Sequence, residues 1–195
     1  MPYFCTANLL FIHIPKTGGT SLETYFSEKF GPPSLYGFLD GSTQIRHAVH
    51  IKHSLQHLTM REIRVYNHYF KIVNPFVVTI VRNPYERIMS ELFYRGKVKP
   101  DDTPDKVYKM LRWLVSANID NHTSPQHTYI EGPLIVLHTE TLEKDMHDIG
   151  FTDFHVVVNQ NENKVHYYDY LNKDSIRFIN WYYREDFERF GYTML

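Results

Sequence analysis

Two adjacent glycines, Gly18 and Gly19, stand between an apolar run and the start of helical spacing, and no other feature constrains this chain as much. Asn8–Ile14 reads as a short buried strand, Pro15–Thr20 as a turn, and about Ser21–Phe30 as a helix with Glu23 near its positive end. A strand, a tight turn and a helix in that order point several backbone N–H groups at one spot and add the helix dipole. Lys16, Thr17, Thr20 and Ser21 stand around that spot, so Lys16-Thr17-Gly18-Gly19-Thr20-Ser21 reads as a cradle for a phosphate or a sulfate.

The same alternation continues along the chain. Phe30–Gly41, rich in Gly and Pro, reads as loop; Leu58–Phe70 has helical spacing with Thr59 as cap, and Phe76–Val81 is a second buried strand. Asn83-Pro84 opens a helix carrying Ile88, Leu92, Met89 and Phe93 at helical spacing, and Thr103-Pro104 opens another that reaches about Asn118. Pro133–His138 is a third strand, Thr141–Asp148 a short helix ended by Gly150, and His155–Val158 a fourth strand. The tail from Lys173 to Phe190 is helical, with Ile176, Ile179, Tyr183 and Phe187 on one face. Strands alternating with helices predict an α/β fold with a central parallel sheet flanked by helices. No repeat, linker or low-complexity tract divides the chain, so residues 1–195 are expected to form a single domain.

Composition narrows the function classes. Twenty-one Lys and Arg against 22 Asp and Glu give a formal charge of −1, which supplies no global positive field for nucleic acid or an anionic membrane; an anion site must be built locally. A 43% hydrophobic, 22% charged chain is an ordinary globular composition. Leu9–Ile12 and Phe76–Val81, the longest apolar stretches, fall far short of the roughly 20 residues of a membrane helix. The lone Cys5 excludes an internal disulfide and, with no signal peptide at the amino terminus, points to a cytoplasmic protein.

A second anion signal lies at Arg82, at the carboxyl end of the second strand, with Ser90 eight residues on. Ligands of open parallel sheets bind at the carboxyl ends of strands, so Arg82 and the glycine loop would face one ligand. The planar guanidinium fork suits phosphate, and Ser90 reaches the same group if its helix lies alongside; Arg87 reads as structural. A Walker A loop, G-x-x-x-x-G-K-[ST], has its lysine after the second glycine, whereas Lys16 precedes both, which weakens an ATPase or GTPase reading.

Taken together, Pro15-Lys16-Thr17-Gly18-Gly19-Thr20-Ser21 and Arg82-Asn83-Pro84-Tyr85-Glu86-Arg87 with Ser90 resemble the two nucleotide loops of the sulfotransferase family. That family moves a sulfuryl group from 3′-phosphoadenosine 5′-phosphosulfate (PAPS) to an acceptor hydroxyl or amine. The carbohydrate branch, of heparan sulfate 2-O-sulfotransferase type, is closer than the small-phenol branch, and Tyr182–Tyr192 resembles it too. The resemblance implies a sulfotransferase fold related to P-loop NTPases, with PAPS as co-substrate and adenosine 3′,5′-bisphosphate as product. It implies a small-molecule or carbohydrate acceptor and no metal. Lys16, Thr17, Gly18, Gly19, Thr20 and Ser21 would hold the 5′-phosphosulfate, Arg82 and Ser90 the 3′-phosphate, and Lys16 would neutralise the leaving oxygen.

A histidine base is expected among His47, His50, His53 and His57, since imidazole accepts protons near neutral pH. Family members of this branch often carry a histidine just before the helix leading to the 3′-phosphate strand, which selects His57, with His53 next. Steps of three, three and four residues would also align the four on a helix as metal ligands, but no carboxylate or thiolate stands near them in sequence to complete such a site. Gln126-His127 is a further candidate contact to donor or acceptor, and the only compact basic run, Arg95-Gly96-Lys97-Val98-Lys99, reads as a solvated loop. The competing readings are a P-loop kinase of a nucleotide or small molecule, and a non-catalytic nucleotide-binding module.

Overall fold

The computed structural model describes residues 1–35, 53–155 and 166–195. Its centre is a sheet of four strands in the order β1 (Tyr3–Phe4), β2 (Leu9–Ile12), β3 (Phe76–Val81) and β4 (Ile135–His138). β2, β3 and β4 are mutually parallel, pairing Leu9 with Phe76 and Val78 with Ile135, while β1 runs antiparallel to β2. The α/β expectation therefore holds, with one antiparallel edge strand added. Two residues carry no detectable period, which is why Tyr3–Phe4 does not stand out in the sequence.

Alternate side chains of the strands enter two apolar layers, as the period of a pleated strand requires. Leu9, Phe11, Val78, Ile80 and Leu137 face Leu22 and Phe26 of α1 (Gly19–Phe30) and Met146 of α5 (Leu142–Asp148). Leu10, Ile12 and Val81 face Met60 and Ile63 of α2 (Met60–Phe70) together with Tyr129 and Phe190. Coverage on both faces explains why β2 is buried throughout and reads as an unbroken apolar run. A third apolar cluster joins α3 (Pro84–Tyr94) and α4 (Pro104–Ala117) to the carboxyl-terminal helices.

Local signals set the helix starts. Thr59 and Glu62 form a reciprocal capping box on α2, and Thr103 caps α4; each cap contributes about 1 kcal/mol. Asn83 accepts from Tyr85 N ahead of Pro84 in the first turn of α3. The helical tail is divided into α6 (Lys173–Tyr182) and α7 (Arg184–Phe190). The break falls at Tyr183, which is buried and donates its hydroxyl to Thr123 O at 2.9 Å. His155 lies outside any strand, and residues 156–158 of the expected fourth strand fall outside the described residues, as do His47 and His50. Among the described residues, no helix is long and apolar enough to cross a membrane.

Candidate active site

Parallel pairing brings the carboxyl ends of β2, β3 and β4 to one edge, and the segments leaving them converge there. Thr139, just past β4, donates from one hydroxyl to Thr17 O at 2.7 Å and Val81 O at 3.0 Å, tying the three strand ends together. Arg87, buried on α3, donates to Pro15 O at 2.9 Å, Ser124 O at 3.0 Å and His122 O at 2.9 Å. All arms of that guanidinium hold backbone, so Arg87 shapes the site and does not face a ligand.

Between these segments lies a cleft of about 670 Å³. Lys16, Gly18, Gly19, Thr20, Arg82, Ser90 and His57 all line it. Gly18 adopts φ +85°, open to glycine at little cost, and Gly19 opens α1 with the His13 ring so close that a Cβ would lie 2.7 Å from it. The first turn of α1, whose N–H groups have no partners within the helix, thus borders the cleft. Thr17 and Ser21 are placed differently. The Thr17 hydroxyl donates inward to Ile14 O at 2.8 Å, and Ser21 lines a neighbouring depression with Thr24 and Tyr25.

Three cations share the cleft: Lys16, Arg82 and Arg95. Burial lowers the Lys16 ammonium below the usual lysine range; Glu91 opposes that shift, while Arg82 and Arg95 add to it. Its Nζ stands 3.9 Å over the Tyr94 ring. Arg82 gives one arm to Glu86 at 2.9 Å, but its Nε is buried with no hydrogen-bond partner among the described residues. An orphaned guanidinium N–H costs free energy unless a ligand or water accepts it, so Arg82 is a poised anion donor. Arg95 belongs to the cleft and not to a merely solvated loop, and it pairs with the buried Glu91.

Gln126 does not line the cleft. It is buried, accepting from Arg82 N and donating to Arg82 O at 2.9 Å each, which fixes the backbone that carries the guanidinium. Gln126 N and His127 N in turn donate to Asp186 on α7 at 2.7 and 2.8 Å, contacts that the break at Tyr183 makes reachable. His127 Nδ1 also meets Asp186 at 2.8 Å, and this hydrogen bond raises its pKa above the ordinary histidine value. The folded chain therefore holds that proton more tightly than the unfolded chain. This contribution to stability is full below about pH 6.5 and is lost as pH rises through the raised value. Thermal unfolding from pH 6 to 9 should show wild type losing its advantage over His127→Asn with rising pH; parallel profiles would contradict this.

His57 is 3% exposed and sits in the short turn ahead of α2. Its Nδ1 lies 3.3 Å from His13 O and its Nε2 3.2 Å from Gln56 Nε2. A carbonyl only accepts and an amide nitrogen only donates, so the proton is on Nδ1 and Nε2 carries the lone pair. Burial, then His13 and His122, push its pKa down to about 2. His53 does not line the cleft, and its Nε2 lies 3.1 Å from Glu62.

Sequence reasoning missed His13, His122, Asp120 and Glu91. His13 Nδ1 meets Glu23 at 2.5 Å, and its ring is edge-on to His57 at 5.2 Å. His57 is edge-on to His122 at 4.8 Å, and His122 Nδ1 lies 2.9 Å from Glu91. Asp120 Oδ2 is 3.7 Å from the Nε2 atoms of both His57 and His122. Short local spacing joins only Asp120 to His122; the other members come from separate stretches of chain, so no sequence window contains the group.

A sulfotransferase family model matches residues 4–193, and the chain therefore belongs to the sulfotransferase family. No curated protein and no solved structure matches it. The family membership defines a sulfuryl-transferring enzyme.

Proposed function

We propose that residues 1–195 act as one PAPS-dependent sulfotransferase domain, with the sulfuryl group passing to a hydroxyl of a carbohydrate acceptor. The observation that carries this reading is that Arg82, whose Nε has no hydrogen-bond partner among the described residues, shares a cleft with Lys16, Ser90 and the Gly18-Gly19 turn. Two separate anion sites suit a donor with phosphate at both the 5′ and 3′ positions, and a 3′-phosphate clasp distinguishes that donor from ATP. Gly18, Gly19 and Thr20 would take the 5′-phosphosulfate, with Thr17 contributing backbone only, because its hydroxyl is committed to Ile14.

Lys16 would neutralise the bridging oxygen as the S–O bond to the 5′-phosphate breaks, a fixed cation placed where charge develops. His57 Nε2, free of a proton at the cleft, would take the acceptor proton as the new O–S bond forms in line, provided that donor and acceptor binding offsets the burial that depresses its basicity. Asp120, 3.7 Å away, would stabilise the imidazolium while it lasts. The polar groups of Gln56, Asp120 and His122 beside the exposed Tyr94 ring suit a hydroxyl-rich acceptor, with the ring offering an apolar face to a sugar. Cys5 is exposed and forms no disulfide, in keeping with a reducing, cytoplasmic setting.

Transfer of radiolabelled sulfate from PAPS to polysaccharide, oligosaccharide and phenol acceptors tests the reading. Carbohydrate labelling is expected, with KM for PAPS raised at least tenfold in Arg82→Ala and turnover lost with donor affinity kept in His57→Ala. Phenol labelling alone would overturn the acceptor assignment.

A further inference from the structure

Two imidazoles and one carboxylate converge beside the cleft at His57, His122 and Asp120. His57 Nδ1–H donates to His13 O, and His122 Nδ1–H has the Glu91 carboxylate as acceptor, so each neutral ring carries a lone pair on Nε2, that of His57 also accepting from Gln56 Nε2 at 3.2 Å. Both Nε2 atoms lie 3.7 Å from one carboxylate oxygen, Asp120 Oδ2. The three ligand atoms lie within 4.8 Å of one another.

From this convergence we infer that His57, Asp120 and His122 form a binding site for a divalent transition metal of the zinc class, an inhibitory site at the edge of the cleft. Two imidazoles and one carboxylate are a ligand set that zinc accepts, with a fourth position left to the cleft. Ligands about 2.0–2.1 Å from a tetrahedral zinc stand about 3.3 Å apart, so the two 3.7 Å contacts to Asp120 need close by only a few tenths of an ångström.

Each ligand is also held from behind, as metal ligands commonly are. Glu91 orients His122, the His13 carbonyl orients His57, and Ser54 donates to both oxygens of Asp120, from N at 2.6 Å and from Oγ at 2.9 Å. Asp120 itself stands at φ +56°, an uncommon conformation for a residue other than glycine. Arg95, the nearby cation, is already paired with Glu91. A metal here would occupy His57 Nε2, the atom assigned to proton removal, so its inhibitory effect rests on the proposed reaction, whereas its binding does not.

The test uses tag-free full-length protein, stripped with chelator and titrated with ZnCl2 by calorimetry and with CoCl2 by visible absorption. One equivalent should bind, with the ligand-field bands of a low-coordinate Co²⁺ site. Ser54→Ala should weaken binding about 10-fold or more, the size of effect typical of partners behind the ligands. His122→Ala should abolish it, and Asp120→Asn, which keeps the backbone preference, serves if that variant does not fold. Zinc should suppress sulfuryl transfer, and chelator should restore it. No saturable binding, binding unchanged in these variants, or binding lost in His155→Ala, which would locate the metal at the surface group Glu143, His147 and His155, each overturns the site. Zinc binding without affinity for adenosine 3′,5′-bisphosphate would leave the metal site standing and remove the donor reading, and the reverse result would do the opposite.

Discussion

Replacing Lys16 with alanine is expected to lower kcat for sulfuryl transfer by about 10²- to 10³-fold, the usual effect of deleting one charge-stabilising donor in a water-poor site. The side chain is half-buried at the cleft, its ammonium lies over Tyr94, and its partners there are few, so little of the fold depends on it. Unfolding temperature should stay within about 2 °C, since a change away from core contacts costs no more than roughly 0.5 kcal/mol. Affinity for adenosine 3′,5′-bisphosphate should fall far less than turnover, because the Arg82 and Ser90 side of the cleft is untouched. Steady-state kinetics with a saturating acceptor separates these effects. Turnover within tenfold of wild type would remove Lys16 from the chemistry.

Arg87→Ala should act through the fold. The side chain is 2% exposed and its three hydrogen bonds bind the Pro15 carbonyl, at the start of the glycine loop, to those of His122 and Ser124. Truncation leaves buried carbonyls without donors and opens a cavity. With charged hydrogen bonds contributing about 1.5–3 kcal/mol each, and partial relaxation of the loops, a loss of about 3 kcal/mol is expected. For a chain of this size that is a fall of about 6–12 °C in Tm, readable by thermal unfolding. Turnover should also fall, because Lys16 and His122 stand on the two loops that Arg87 joins. An unchanged Tm would show that these contacts do not stabilise the fold.

Much of this architecture is written locally. The Thr59 cap, the Asn83-Pro84 start and the unbroken apolar runs of β2 and β3 are short-range signals, and each element appears within a few residues of where the pattern puts it. The loop carrying Lys16 and the residue Arg82 are legible for the same reason: each sits at the end of its own strand. What escaped depends on pairing across the chain. The Thr17 hydroxyl turns inward because the Ile14 carbonyl is close, a fact of turn geometry that composition does not carry. Gln126 holds Arg82 from 44 residues away, and Asp186 anchors Gln126 from 60. The group around Asp120 assembles only when α3, the turn before α2 and the segment after α4 meet, so the local clustering of histidines in the 47–57 stretch carries no sign of the contacts His57 makes with His13 and His122.

The most direct test of the central claim is calorimetric titration of the protein with adenosine 3′,5′-bisphosphate, with adenosine 5′-monophosphate and magnesium-ATP as comparison ligands. The cleft predicts tight, magnesium-independent binding of the bisphosphate that weakens at least tenfold without the 3′-phosphate and weakens likewise in Arg82→Ala. Absence of bisphosphate binding, or a preference for magnesium-ATP, would contradict the PAPS assignment and favour a kinase-like use of the same loop.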